Sequence, residues 1–257
     1  MSSRKNKSDR SSHQTNQNYE SERILTMQCL YCFTPIITSV TWSNVFYPSS
    51  FQHFCSNCLE QLSMIEKPIC PRCGRPSNNL CIDCHRWEER PDYANVLKMN
   101  RSIFSYSNFV QELITQWKYQ GDYELIKGFA PFIRKAFSAN FGQLAKSLTI
   151  IPIPLTHMRA YERAFNQAQA IAQIIANAYK IPIIDALKRN EEITEKQSKK
   201  SRYERLETKN PFFLSQKLHT NVLIVDDIYT TGMTIHHAAK QLKKAGSPSI
   251  YSFTLAR

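Results

Sequence analysis

Asp226 and Asp227 are adjacent carboxylates, and Thr230-Thr231-Gly232-Met233-Thr234 follows them almost at once. Two carboxylates on one turn can hold the vicinal hydroxyls of a sugar, directly or through a hard cation such as Mg²⁺. Threonine hydroxyls donate hydrogen bonds, and a glycine lets the backbone come close to an anion. Such a site needs a rigid strand before it and a helix after it. Val222 to Val225 form a continuous apolar run, the pattern of a strand covered on both faces. A helical pattern opens near Thr234 (Ile235, Ala238, Ala239, Leu242), and a helix amino terminus presents free N–H groups and the positive end of its dipole. The expected arrangement is a phosphate cradle beside a ribose clamp, with both carboxylates facing solvent. A strand ending in Asp-Asp also suits the metal-holding strand of an ATPase. That requires a Gly-x-x-x-x-Gly-Lys-[Ser/Thr] loop, and none of the six glycines begins one. A buried strand with a solvated turn is the plain alternative, and it gives no reason for the threonine–glycine loop.

The eight cysteines make a second constellation. All fall in C-x-x-C pairs: Cys29/Cys32, Cys55/Cys58, Cys70/Cys73 and Cys81/Cys84. Soft thiolates in fours select tetrahedral zinc in closed structural sites, so two structural Zn²⁺ are expected. Disulfides suit a secreted chain, and no signal peptide begins this one. Iron–sulfur ligation is a smaller alternative, because Cys-Pro-Arg-Cys-Gly at 70–74 has the look of a zinc-ribbon turn. Redox chemistry usually needs one pair, not four in a row. Spacers of 22 and 7 residues allow pairs one and two to share a metal and pairs three and four to share another. A cross-brace, pairing one with three and two with four, stays open. His53 and His85 lie near the knuckles as bystanders.

A chain of 257 residues holds one ordinary domain and a small one, and its apolar fraction of 42% is that of a globular protein. No apolar run approaches the roughly 18 residues of a membrane span, which makes the cytoplasm the default. The net charge is +12, and residues 100–257 hold 22 Lys/Arg against 12 Asp/Glu. That surplus suits a polyanionic ligand and could attract nucleic acid; a solvated basic face is the bland reading.

Along the chain, residues 1–26 are too polar to repay the cost of ordering and read as a disordered tail. Residues 27–92 hold the cysteines, Tyr93 to Met99 connect, and 100–257 form the α/β unit. Phe109, Leu113, Ile114 and Trp117 mark one amphipathic helix; Leu125, Ile126, Phe129, Phe132 and Ile133 mark another. Leu148 to Pro154 reads as a buried strand ended by prolines. A loop bearing Arg159 and Arg163 follows, placed to grip pyrophosphate through paired hydrogen bonds, although one arginine could simply cap the next helix. That helix should carry Ala164, Ala168, Ile171, Ile175 and Ala178 inward. Residues 188–210 break the pattern and read as a disordered segment or a lid that excludes water. Ser249 to Leu255 is the last strand.

The stretch 221–234 resembles the 5-phosphoribosyl-1-pyrophosphate (PRPP) binding motif of type I phosphoribosyltransferases and matches every defining position. The resemblance extends further. Four C-x-x-C pairs precede Lys-Tyr-Gln-Gly-Asp (118–122), Ile-Pro-Ile-Pro-Leu (151–155), Arg-Ala-Phe-Asn-Gln (163–167) and Thr-x-x-Gln (194–197), and the loop and a terminal Leu-Ala-Arg follow. Over about residues 27–257 the chain looks like the ComF family, phosphoribosyltransferase-like proteins linked to natural competence. The resemblance implies a double zinc ribbon before a type I phosphoribosyltransferase fold, a parallel sheet flanked by helices. It implies PRPP with Mg²⁺ held by Thr230, Thr231, Gly232, Met233 and Thr234, with Asp226 and Asp227 as the catalytic pair. Arg159 and Arg163 would receive pyrophosphate, and Thr194, Gln197 and Arg205 would sit on a flexible lid. It also implies a cytosolic role with incoming single-stranded DNA, and association with a helicase and an uptake channel at the inner face of the membrane. Ala164 stands where the family has Gly, and Lys200 and Thr208 replace its Leu and Asn. Thr230 occupies the place of an Asp in some purine-specific relatives, and a threonine is a poor proton acceptor at neutral pH, which disfavours purine salvage. The rival expectation is a PRPP- or DNA-binding scaffold without turnover.

Overall fold

Two short antiparallel strands, β1 (Met27–Gln28) and β2 (Pro35–Ile36), carry the first cysteine knuckle in the computed structural model, which describes residues 27–36, 52–67, 69–119, 122–192 and 210–257. The tail, Gln120 and Gly121, and the proposed lid residues Thr194, Gln197 and Arg205 lie outside the described residues, as do Lys200 and Thr208. The knuckles at Cys29 and Cys70 are the same turn. Phe33 N–H donates to Cys29 O and Gly74 N–H donates to Cys70 O, and Phe33 and Gly74 both take positive φ. In each case a short helix starts on the third cysteine of a set and carries the fourth. Helix α1 (Ser56–Glu60) opens at Cys55 and holds Cys58; α2 (Ile82–Glu88) opens at Cys81 and holds Cys84.

The remainder is a parallel α/β sheet. In chain order it runs β3 (Met99–Phe104), α3 (Asn108–Tyr119), α4 (Leu125–Phe141), a 3₁₀ turn, β4 (Leu148–Pro152), α5 (His157–Arg163) and α6 (Gln167–Tyr179). A small antiparallel pair follows, β5 (Leu187–Arg189) with β6 (Phe212–Leu214). Then come β7 (Asn221–Ile228), α7 (Met233–Lys244) and β8 (Ile250–Ala256). The four-stranded sheet has the order β3-β8-β7-β4, every neighbour parallel. Ile224 in β7 lies between Ile151 of β4 and Ser252 of β8.

The apolar run of β7 is continuous because both faces of this strand are covered. Leu223 and Val225 join the core built by α3, α4 and α6; Val222 and Ile224 join the one built by α7. All four are fully buried, each contributing roughly 1.5–3 kcal/mol of transfer energy. The two cysteine sets divide between these cores. Cys29 and Cys58 pack with α4, where the ring of Phe54 lies against Phe129 and leaves no room for a Cβ on Gly128. The other set packs with α7. Between them, Ile65 N–H donates to Ile103 O and Asn100 N–H to Arg72 O, so the free edge of β3 is covered rather than left as a pairing hazard.

Three local expectations are corrected. Arg159 and Arg163 stand on a helix, α5, capped by the Thr156 hydroxyl, not on a loop. Ala164 and Ala178 are exposed, not core. Ala164 ends α5 in the left-handed region at φ 60°, and Asn166 caps a separate helix, α6, because its side chain accepts from the N–H groups of Ala168 and Gln169. Finally, Lys188 and Arg189 belong to β5 rather than to the polar segment, since that segment's start is paired with β6. Among the described residues no helix is long and apolar enough to cross a membrane.

Candidate active site and cysteine clusters

Asp226 and Asp227 emerge at the carboxyl end of β7, an interior strand, where open parallel sheets bind their ligands. A cavity of about 150 Å³ lies there, walled by both carboxylates and by Thr234, Arg159 and Arg163. Three residues from other elements complete it: Lys118 from the end of α3, Gln167 from the start of α6, and Arg189 from β5. The chain thus brings four cations to two carboxylates.

The carboxylates are half-buried, not solvent-facing as expected. Lys118 Nζ lies 2.5 Å from Asp227 Oδ2, and Arg163 Nη1 stands 3.8 Å from the same oxygen. Asp226 has no such ion pair among the described residues. Burial, and after it the charge of Asp227, push its carboxyl up to about 7, against the opposing pull of Lys118 and Arg189. Burial also brings Arg189 down to about 10. Its guanidinium lies 4.7 Å from the ring centroid of Phe212. Arg163 donates to Gln167 Oε1 and to the Tyr119 hydroxyl, each at 3.2 Å.

Three buried donors here have no hydrogen-bond partner among the described residues: Arg163 Nε, Gln167 Nε2 and Arg189 Nε. An unmet buried donor costs about 1–3 kcal/mol, so these three are free to receive acceptors from a guest. An anion such as pyrophosphate fits that demand.

The loop itself is placed differently from the carboxylates. Of Thr230 to Thr234, only Thr234 reaches the cavity wall, while Thr230 is exposed at its tip. Gly232 has φ 79° and caps α7, and a Cβ added to it would sit 2.2 Å from the Tyr229 hydroxyl. Positive φ and a ring underneath both require glycine there.

The cysteines gather as Cys29, Cys32, Cys55 and Cys58 in one cluster and Cys70, Cys73, Cys81 and Cys84 in the other, the sequence-adjacent pairing rather than the cross-brace. Sulfur separations are 3.7 Å for Cys29–Cys58 and 3.6 Å for Cys32–Cys55 in the first. In the second they are 3.8 Å for Cys70–Cys84 and 3.5 Å for Cys73–Cys81. Four thiolates about 2.3 Å from one tetrahedral centre stand about 3.8 Å apart, so both clusters fit Zn²⁺. Bonded disulfide sulfurs would be about 2.05 Å apart.

No protein-family profile matches the chain. It is 35% identical to competence protein ComFC of Bacillus subtilis over 240 residues, covering 89% of this chain and 94% of the relative. The chain belongs to the ComF family. It is also 31% identical to competence protein ComFC of Streptococcus pneumoniae, covering 90% of this chain and all of the relative. A more distant similarity, 25% over 79% of this chain and 89% of the relative, is to the DNA utilization protein YhgH of Escherichia coli O157:H7.

In this ComF-family chain the site contains three residues that sequence reasoning did not assign to it. Lys118 and Gln167 were visible only as letters in family motifs. Arg189 was hidden in a charged stretch. Its signal was weak: one buried Leu187 beside it, in a strand of three residues.

Proposed function

We propose that this chain binds PRPP with Mg²⁺ in the cavity at the end of β7 and transfers its phosphoribosyl group to an acceptor. The reading is supported above all by one observation: two carboxylates and four cations share one small polar cavity next to the Thr-Thr-Gly-Met-Thr turn. We read residues 27–92 as a double ribbon with two structural Zn²⁺ and residues 100–257 as the phosphoribosyltransferase-like unit.

In this reading Asp226 and Asp227 take the ribose hydroxyls, and the loop 230–234 with the α7 amino terminus takes the 5-phosphate. Arg159, Arg163 and Arg189, with the unmet donors around them, take the pyrophosphate. The carboxylate oxygens suit a hard cation, and Mg²⁺ bound there would offset charge on the leaving pyrophosphate. Reaction breaks the bond from C1 to the pyrophosphate oxygen, whose electron pair leaves with that group; the acceptor's lone pair forms the new bond at C1 and its proton is lost. The protein's part is to position the partners and to meet developing charge with fixed donors.

The names of the relatives favour a setting in competence and DNA use. We place the activity there, on the cytoplasmic side, acting on or beside incoming single-stranded DNA with a helicase and an uptake channel as associates. The basic surplus of residues 100–257 favours a second reading, a PRPP- or DNA-binding scaffold without turnover.

Calorimetry against PRPP with and without Mg²⁺ tests the site. Asp226→Asn with Asp227→Asn should weaken binding and flatten its Mg²⁺ dependence, whereas Gly232→Val should abolish binding in both conditions. Equal binding by all three proteins would remove the assignment. Release of pyrophosphate with a candidate acceptor separates the enzyme from the scaffold.

A further inference from the structure

The peptide between Thr231 and Gly232 is held from behind by the second cysteine cluster. Trp87 lies three residues beyond Cys84 on α2, and its Nε1–H donates to Thr231 O at 2.9 Å. In a trans peptide the C=O and the following N–H point to opposite sides. A carbonyl tied to Trp87 therefore sends the Gly232 N–H away from Trp87, leaving it free of the ribbon. The indole cannot turn freely. It stacks on His236 of α7 with ring centroids 4.1 Å apart and planes 7° apart, and it meets the edge of Tyr93 at 5.1 Å.

A second strut runs from the same cluster. Cys73 O accepts from Arg257 Nη1 at 2.6 Å, and the Arg257 guanidinium lies 5.0 Å from the ring centroid of Tyr229. Tyr229 is buried, and its hydroxyl end fills the space under Gly232. Both struts end on one turn, at Thr231 and at Tyr229, and both begin on main chain or helix fixed by the cysteines. The first cluster has no such link among the described residues, because it packs in the core on the opposite face of the sheet.

We propose that Trp87 and Arg257 are positioning residues through which the second cysteine cluster, and not the first, sets the donor geometry of the loop 229–234. The proposal rests on the reading of that loop as a phosphate site. On this account the second ribbon is the back wall of the ligand site. Loss of its metal would disarm the loop while the sheet persists. The expectation about ligand chemistry is narrow: contacts to the 5-phosphate weaken, and the Mg²⁺ requirement set by Asp226 and Asp227 stays.

The test measures loop order and ligand affinity separately, on the full chain. Hydrogen–deuterium exchange of the 229–234 amides is followed without ligand, and PRPP with Mg²⁺ is titrated by calorimetry. Trp87→Phe keeps a ring on His236 and removes the donor; Arg257→Met removes the second strut. Each should speed loop exchange and weaken PRPP roughly three- to tenfold, the value of one hydrogen bond. Lys240→Met is the control. It removes the ion pair to Asp92 and the contact over Tyr93 at the same ribbon–α7 junction without touching the loop, so loop exchange should match wild type. Unchanged loop exchange in both strut variants overturns the proposal, as does equal loosening by Lys240→Met. Faster loop exchange in both strut variants, with no PRPP binding even by wild type, upholds the positioning role and removes the phosphate reading instead.

Discussion

Lys118 Nζ stands 2.5 Å from Asp227 Oδ2, with both side chains nearly buried. The carboxylate proposed for the ribose is therefore already paired with a residue from a distant helix end. Breaking a buried pair by removing one partner costs about 3–5 kcal/mol, because the other charge is stranded. Lys118→Met should leave Asp227 beside Asp226 with only the longer contact to Arg163. PRPP affinity is expected to fall at least about tenfold, and the remaining binding should depend more steeply on Mg²⁺ to offset the added negative charge. Titrations at several Mg²⁺ concentrations check this; a flat Mg²⁺ response in Lys118→Met contradicts it.

Asp226 sets a pH dependence of opposite sign to that of an ordinary salt-bridged carboxylate. Its pKa is about 7 when folded, raised by burial and then by Asp227, against about 4 when unfolded. Between those values the native state keeps a proton that the unfolded state has lost. The contribution of Asp226 to stability is thus fully present below about pH 4 and is lost as pH rises through about 7. Asp226→Asn should raise the melting temperature by several degrees at pH 8 and change it little at pH 4. Thermal melts at the two pH values decide the matter, and an equal shift at both would rule it out. A cation at the pair favours the ionised form. Binding of PRPP with Mg²⁺ near pH 6 should accordingly release protons, seen as a heat that varies with the buffer.

Ala164 ends α5 at φ 60°, a conformation that costs a residue bearing Cβ about 1–2 kcal/mol. Glycine avoids that cost but has more freedom to lose on folding. Ala164→Gly is therefore expected to stabilise the chain by about 1 kcal/mol. Because α5 carries Arg159 and Arg163, PRPP affinity should stay within about twofold if the cap alone changes. Denaturant unfolding reads the first quantity and calorimetry the second. A loss of stability in Ala164→Gly would show that the methyl group makes contacts worth more than the strain.

Metal analysis of the reduced protein should give two Zn²⁺ per chain. Structural zinc contributes on the order of 10 kcal/mol to small ribbons, so Cys29→Ser should unfold the first of them. The damage should not stop there, because Phe54 fills the notch over Gly128 and packs on Phe129. Hydrogen exchange in α4 is expected to rise, while the loop 229–234, served by the other cluster, keeps its protection. One zinc in wild type, or an iron chromophore, would refute the assignment.

The elements readable from the chain alone were those whose cause is local. The run Val222 to Val225 and the stripe through Ile235, Ala238, Ala239 and Leu242 follow from burial and helical period, and all of these residues are buried. The cysteine sets were legible because thiolate spacing is itself the chemistry. Lys118, Gln167 and Arg189 were not, because they converge only after three separate elements pack around β7. The upward shift of Asp226 was hidden for the same reason: two adjacent aspartates look solvent-facing until the neighbouring elements close over them. A short helix at 157–163 was missed because the strand before it ends in prolines and its amphipathic pattern is only two turns long.

The order of strands has a consequence for how the chain is made. β8, the last strand, is inserted between β3 and β7, and Ser102 and Thr254 hydrogen-bond across 152 positions. On the ribosome the sheet therefore cannot close until residues 250–256 have left the exit tunnel, because its interior position is vacant until then. The cysteine knuckles emerge long before. Thiolates can capture their metal while the strands that will cover them are still unwritten, so metal supply can act on the chain before sheet closure does.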